Sequence, residues 1–309
     1  ARPGRQARAR WCGGAALHRG QRLLLVDRWT REGMLRLAGR DRCPPPHMVP
    51  PHVHGLLALP EPVRRSYDVS SMRHAIHGAA PCPDHVKRAM IDWWGNSVEE
   101  YYAASEGGGA FATAEDWLKK PGTVGKAWPI SELAVFDDDG NRLPPGELGT
   151  VYMKMNTGGF AYHKDEAKTR KNRIGDFFTV GDLGYLDEDG YLFLRDRKID
   201  MIISGGVNIY PAEVESALLA HPAVADADVF GIPHDDWGEE VKAVVEPAPG
   251  HEPGPDLAAD LLAHCAGQLA GYKRPKSVDF IAEMPRDPNG KLYKRRLRDP
   301  YWEGRTRPV

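Results

Sequence analysis

Lys291 follows Asp287-Pro288-Asn289-Gly290, where proline fixes φ and Asn and Gly tolerate a left-handed backbone, so the lysine leaves a tight turn. Its ammonium could belong to a solvated basic tail, to a nucleic-acid patch, or to a loop that delivers one cation to a reacting anion. "YYAASEGGG" (101–109) offers a second set of groups. The ring of Tyr102 could stack on a flat base, Ser105 could donate to a phosphate oxygen, and Glu106 could hold a hard cation such as Mg2+. Without the GxxxxGK[ST] arrangement its glycines do not make a phosphate cradle, and a strand end with a glycine loop would read the same way. Asp182, in Gly181-Asp182-Leu183-Gly184, is an acceptor when ionised and suits two adjacent sugar hydroxyls. Arg197 adds a fixed-charge donor fork, though a hairpin with surface charges is the plainer alternative. Gly205 and Gly206, before Pro211, permit close backbone approach to a ligand or simply end a strand. "HGAAPCP" (77–83) is another small-residue turn of that kind.

These groups need elements to carry them. A strand is expected over Met72–Ile76 and an amphipathic helix over Asp84–Trp94. From Thr123 to Leu194 short strands alternate with polar turns, including a hairpin around Asp187-Glu188-Asp189-Gly190, which predicts a small antiparallel barrel or sheet. After Arg197 the rhythm becomes strand and helix by turns: a strand at Met201–Ile203, a helix opened by Pro211 with Val214, Ala217 and Leu218 inward, and strands at Val224–Phe230 and Val241–Glu246. Leu257, Leu261, Leu262, Cys265 and Leu269 have helical spacing, and Ser277–Ile281 closes an α+β domain. The border is placed near Asp196-Arg197, and Lys294–Arg298 is read as a solvated helix.

At 309 residues the chain is long enough for about two domains. A composition of 41% hydrophobic and 27% charged residues is that of an ordinary soluble protein, and a net charge of −2 gives no general affinity for polyanions. Residues 1–42 carry eleven arginines and no lysine, but no aromatic interleaving accompanies them, so no nucleic-acid partner is expected. Cys12, Cys43, Cys82 and Cys265 lie far apart with no ligand spacing, as free thiols in a reducing, cytoplasmic compartment do. Leu23–Val26 is too short for a signal-peptide core, and nothing approaches a membrane span; contact with a membrane would be peripheral. His47, His52 and His54 are split by prolines and read as wall or loop residues rather than a metal site.

Together, in this order and spacing, these segments resemble the adenylate-forming ligases, the superfamily of acyl-CoA synthetases, peptide-synthetase adenylation domains and beetle luciferases. "YYAASE" is similar to the family's Tyr-Gly-x-Thr-Glu motif, "GDLGYLDEDGYL" to its ribose-binding motif, and "RDRKIDMIISGGVNIYPAEVE" to its hinge and the loop after it. "PRDPNGKLYKRRLR" is similar to the C-terminal lysine motif, and "HGAAPCP" to the adenine-contact turn. The wording lies nearest to bacterial fatty acyl-CoA synthetases. The resemblance implies a multi-domain α/β and α+β fold: a large domain over 1–196 (an αβ part over about 1–120, a β-rich, barrel-like part over about 121–196), then a mobile α+β domain over 197–309. It implies ATP, Mg2+ and CoA as reaction components, and a carboxylic acid, fatty by the wording, as substrate. Gly78, Ala79 and Ala80 would back the adenine, Tyr102 would stack on it, and Ser105 would touch the phosphate. Glu106 would bind Mg2+, and Asp182 and Arg197 the ribose. Lys291 would bridge the substrate carboxylate and the α-phosphate, Gly205 and Gly206 would line the CoA tunnel, and the hinge would fall at Ile199.

Two departures accompany the resemblance. The family's Ser/Thr/Gly-rich loop ending in Pro-Lys-Gly does not occur in residues 1–309, so the chain is expected to be truncated before its first matched segment, with residues up to about 60 poorly packed. Ile199 stands where the family places Asp or Lys. An impaired ligase, a half-reaction remnant and a nucleotide-binding module are the alternatives this leaves.

Overall fold

The computed structural model describes His18, Gly20 and residues 30–42, 47–156, 160–286, 291–305 and 307. Cys12, Cys43, the Leu23–Val26 stretch and the 287–290 turn lie outside the described residues. By its contacts the chain divides into two compact units, 1–99 with 286–292, and 100–285 with 293–309. The border expected at Asp196-Arg197 falls inside the second unit, where it separates two sheets.

In the first unit, helices α1 (Arg31–Asp41), α2 (Pro50–Leu57) and α3 (Glu61–Arg65) precede strand β1 (Ala75–Gly78) and helix α4 (Asp84–Trp94). The Thr30 hydroxyl accepts the Gly33 N–H at 3.1 Å and caps α1. Two prolines open α2, where their missing N–H groups leave no intrahelical bond unmade. Leu35 of α1 and Leu56 of α2 are fully buried. The expectation of poor packing up to about residue 60 therefore fails over the described residues: short apolar faces on these helices suffice to close a core. The expected strand at Met72–Ile76 forms at Ala75–Gly78 instead, because Met72 is held in the preceding turn by its N–H to Val69. Helix α4 occupies the expected residues and buries Val86, Met90, Ile91 and Trp94, one face at i, i+4 spacing.

Strand β2 (Val98–Ala103) runs into the second unit, where Glu100–Ala103 pairs antiparallel with β3 (Gly109–Ala112), which in turn pairs with β4 (Lys126–Ala127). Between β3 and β4 lies α5 (Ala114–Lys119), opened by a reciprocal capping box of Thr113 and Asp116. A six-stranded antiparallel sheet comes next: β5 (Ser131–Phe136), β6 (Gly149–Met155), β7 (Arg173–Ile174), β8 (Phe177–Phe178), β9 (Asp182–Leu186) and β10 (Leu192–Arg197), with α6 (Glu166–Lys171) inserted before β7. Its order is β10-β9-β6-β8-β7, with β5 beside β6. The Asp187 carboxylate accepts the Asp189 and Tyr191 N–H groups and makes the β9–β10 turn.

The last sheet contains β11 (Ile202–Ser204), β12 (Val207–Ile209), β13 (Val224–His234), β14 (Gly238–Pro247) and β15 (Ser277–Phe280), with helices α7 (Pro211–Leu219) and α8 (Pro255–Gln268). Its order is β12-β11-β14-β13, with β15 parallel to β14. Ile202, Val214, Leu218, Val229, Val241, Val245, Leu261 and Cys265 form its core. The β13–β14 ladder runs from Val224 to His234, longer than the apolar run suggests, because backbone pairing continues through Pro233 and the charged Glu239 and Glu240. Helix α9 (Lys294–Arg298) follows; Arg295 and Arg296 are solvated as expected, but the expectation is corrected at Lys294 and Arg298. Arg298 is buried, and Lys294 Nζ lies 2.9 Å from Asp228, 3.1 Å from Glu215 and 2.8 Å from the Val229 carbonyl. A lysine tolerates such a place when carboxylates replace its water, and Asp228, fully buried in β13, supplies one.

Candidate functional site

Asp182 opens β9 and Arg197 ends β10, and the antiparallel register sets the two opposite each other. Arg197 Nε lies 3.5 Å from Asp182 Oδ1. The Tyr102 hydroxyl, at the end of β2, donates to Asp182 Oδ2 at 2.7 Å. Burial and the Asp182 charge push the Tyr102 phenol well above its ordinary pKa, so it stays a donor at any working pH. The ring packs against the core of Leu133, Met153 and Leu192. Three of the expected nucleotide-binding side chains are thus joined in one network, with the arginine half in solvent and the carboxylate mostly shielded. Each Asp182 oxygen keeps a lone pair beyond its present partner, which is what two vicinal hydroxyls require.

Ser105 and Glu106 come in the turn after β2, with Ser105 exposed. Tyr162 donates to Glu106 Oε1 at 2.9 Å, and its own pKa is raised, first by burial and then by that carboxylate. Phe160 meets the Tyr162 ring edge-on at 4.8 Å, and Lys168 Nζ lies 4.1 Å from the ring centroid. Gly108 brings this loop against β6: at φ +78°, an added Cβ would stand 2.9 Å from Met153 Cβ. Among the described residues no three His, Cys, Asp or Glu side chains have metal-holding geometry. A single oriented carboxylate nevertheless fits Mg2+ of the kind held by one protein ligand, water and substrate phosphates. Glu106 is the carboxylate here that could hold such an ion.

Gly205 and Gly206 form the exposed two-residue turn between β11 and β12, at φ +57° and +80°, and Gly205 N–H donates to the Trp237 carbonyl at 2.9 Å. Ile199 is half exposed. Gly78, Ala79, Ala80 and Lys291 belong to the first unit. There Gly78 ends β1 and is buried, while Ala79 sits at φ +69°, a conformation that costs a non-glycine residue and is held at ligand-facing turns. Lys291 is exposed and directly precedes Leu292, which bridges to Arg286.

Several residues near this network escape sequence reading. Tyr162 carries no motif. Asp196 does adjoin Arg197 but reads as surface charge; it accepts the Ala212 N–H at 2.9 Å, and burial raises its pKa to about 6 against the opposing pull of Lys294. Lys198 is bound through its N–H to the Gly181 carbonyl at 2.8 Å and through Nζ to Asp138.

Two sequence-family models match the chain: AMP-binding enzyme over residues 7–160, and AMP-binding enzyme C-terminal domain over residues 213–291. Among curated relatives, a fatty acid–acyl-carrier-protein ligase of Streptomyces coeruleorubidus is 34% identical over 258 residues, 82% of this chain and 49% of that one. A long-chain-fatty-acid–CoA ligase of Mycobacterium tuberculosis is 38% identical, over 76% of this chain and 46% of that one. Among solved structures, ATP-bound MatB from Rhodopseudomonas palustris superposes with a TM-score of 0.78 at 32% identity, covering 93% of this chain and 56% of that one. The o-succinylbenzoate CoA synthetase of Bacillus subtilis, in complex with its acyl-adenylate intermediate, gives 0.76 at 30% identity, with 91% and 56% covered. The chain spans about half the length of the curated relatives it matches. No helix among the described residues is long and apolar enough to cross a membrane.

Proposed function

The chain belongs to the AMP-binding enzyme family, and from that premise we propose that it takes part in the ATP-dependent activation of a carboxylic acid, a fatty acid by the wording of its motifs, and in transfer of the acyl group to CoA. The observation that carries this reading is the Tyr102–Asp182–Arg197 network. Asp182 accepts both ribose hydroxyls, Arg197 lies beside the carboxylate and donates to the ribose, and the Tyr102 ring offers its face to adenine while its hydroxyl fixes Asp182. Ser105 touches the phosphate, and Gly78-Ala79-Ala80 back the base.

In the first step the acid's carboxylate attacks the α-phosphorus, the bond to the bridging oxygen of pyrophosphate breaks, and acyl-adenylate forms. Lys291 neutralises the charge that grows on the α-phosphate and attacking carboxylate. Mg2+, where bound, would screen the phosphate charge, and Tyr162 orients Glu106 for it. In the second step the CoA sulfur attacks the acyl carbonyl, and AMP leaves with the electron pair of the broken acyl–phosphate bond. Gly205 and Gly206 leave a backbone track for the pantetheine arm. The large domain would run over 1–196, and 197–309 would move about a hinge at Ile199. The partners are then small molecules, ATP, acid and CoA, and the compartment is the cytoplasm.

Calorimetry with AMP, for the chain and for Asp182→Asn, tests the nucleotide site, and pyrophosphate release with ATP, Mg2+ and a long-chain fatty acid tests the first step. Binding lost in Asp182→Asn together with pyrophosphate release is the expected outcome. No AMP binding overturns the reading; AMP release from supplied acyl-adenylate, dependent on CoA and without pyrophosphate release, reduces it to the second step.

A further inference from the structure

Arg307, far from every motif, has its guanidinium on the hinge. Its Nη2 donates to the Met201 carbonyl at 2.7 Å, its Nη1 donates to the Ile199 carbonyl, and its Nε lies 2.6 Å from Glu239 Oε1. Glu239 is fully buried in β14, and its other oxygen accepts the Ile203 N–H at 2.7 Å. Room for that carboxylate comes from Gly231 on the facing strand, where a Cβ would stand 2.7 Å from the carboxyl carbon. The site is built: a buried anion needs a cation, and Arg307, with only 11% of its side chain exposed, supplies one that also caps two carbonyls. Arg298 of α9 reaches Asp200 at 3.4 Å. Residues 199–201 are therefore each tied to groups on their C-terminal side. Lys198, one residue earlier, is tied the other way, to the Gly181 carbonyl and to Asp138 of the β-rich part.

We propose that Arg307 is a positioning residue that fastens residues 199–201 to the C-terminal sheet, so that bending of the chain is confined to the step from Lys198 to Ile199. The use of that bend in catalysis rests on the function proposed above; the clamp itself does not. Two backbone bonds, from the Asp200 and Met201 N–H groups to the Arg197 carbonyl, cross the step, as does the bond from Ala212 N–H to Asp196, and these are what a rotation there breaks. The apolar side chain of Ile199 is half exposed and takes no part in the clamp, which acts through its carbonyl. That removes the need for the charged hinge side chain of the family pattern.

Amide exchange of the full chain, with Arg307→Ala and Arg307→Lys, tests this. Loss of charge-assisted bonds of this kind accelerates exchange at residues 199–203 by about tenfold or more in Arg307→Ala, with β13 and β14 unchanged and Arg307→Lys in between. Unchanged exchange at 199–203 in Arg307→Ala overturns the clamp. If Arg307→Ala loosens the strands as well, Arg307→Lys decides, and wild-type exchange at 199–203 in that variant overturns it. Where both half-reactions are measurable, the ratio of pyrophosphate release to CoA-dependent AMP release shifts in Arg307→Lys while KM for the acid holds. Equal loss in both makes Arg307 merely structural and sinks the positioning role. Absence of both activities in the wild type refutes the proposed function and leaves the exchange result to decide the clamp.

Discussion

Tyr102 donates to Asp182 across 2.7 Å, and in doing so joins the end of β2 to the start of β9, 80 residues further along the chain. The bond has a consequence for both partners. It leaves the phenol un-ionised and the carboxylate with one fixed orientation, so neither need be ordered for the nucleotide binding proposed here.

Removing only that hydroxyl separates orientation from stacking. Tyr102→Phe keeps the ring and loses a bond to a charged acceptor, a type worth about 1.5–3 kcal/mol. The expected result is AMP affinity lower by about tenfold, read by calorimetry, with denaturant unfolding shifted by about 1–2 kcal/mol. Unaltered affinity would show that Asp182 needs no help from the phenol.

Lys291 gives the opposite pattern. It is exposed, so Lys291→Ala leaves thermal unfolding within about 0.5 kcal/mol of wild type. Pyrophosphate release falls by about 100-fold or more, as loss of a group that meets developing charge does, while CoA-dependent AMP release from supplied acyl-adenylate holds. A parallel fall in both steps would contradict its assigned place in the first.

How much of the molecule is legible in its sequence depends on the range of the interactions. Helix α4 and the β9–β10 hairpin arise from local periodicity and turn chemistry, and they form where expected. The Asp182–Arg197 pair is legible for the same reason, since a hairpin fixes its own register. Tyr162 beside Glu106 is not, because 56 residues separate them and neither residue type signals the other. Lys294 misleads outright: "KRRLR" looks like a solvated stripe, and only the buried Asp228 in "ADADVFGI" hints that a cation must come from elsewhere to meet it.

That correction makes a measurable claim. Lys294→Met strips the buried Asp228 of its ammonium and should cost about 3–5 kcal/mol in urea unfolding, the usual penalty for breaking one side of a buried pair. Arg296→Ala, two residues on and exposed, should change stability by less than about 0.5 kcal/mol. Similar costs for the two would return α9 to the solvated helix its sequence suggests.

Asp196 adds a pH dependence whose sign is fixed by its surroundings. Burial raises its pKa from an ordinary 3.8 to about 6, with Lys294 pulling it down, Glu215 pushing it up, and the Ala212 and Arg197 N–H groups favouring the ionised form. A carboxyl with a raised pKa in the folded state binds its proton more tightly there than in the unfolded chain. Its contribution to stability is therefore fullest below pH 3.8 and is lost as pH rises towards 6. Asp196→Asn carries no such proton, so the stability of wild type relative to the variant should fall between about pH 4 and 6 and stay level above. Carboxylates with lowered pKa, such as Asp116 and Asp279, give the opposite slope, but they are common to both proteins and cancel in the difference. Urea unfolding at half-unit steps of pH decides it. A difference that is flat across the whole range would mean that Asp196 ionises as an ordinary surface carboxylate and that Lys294 meets one buried acid fewer.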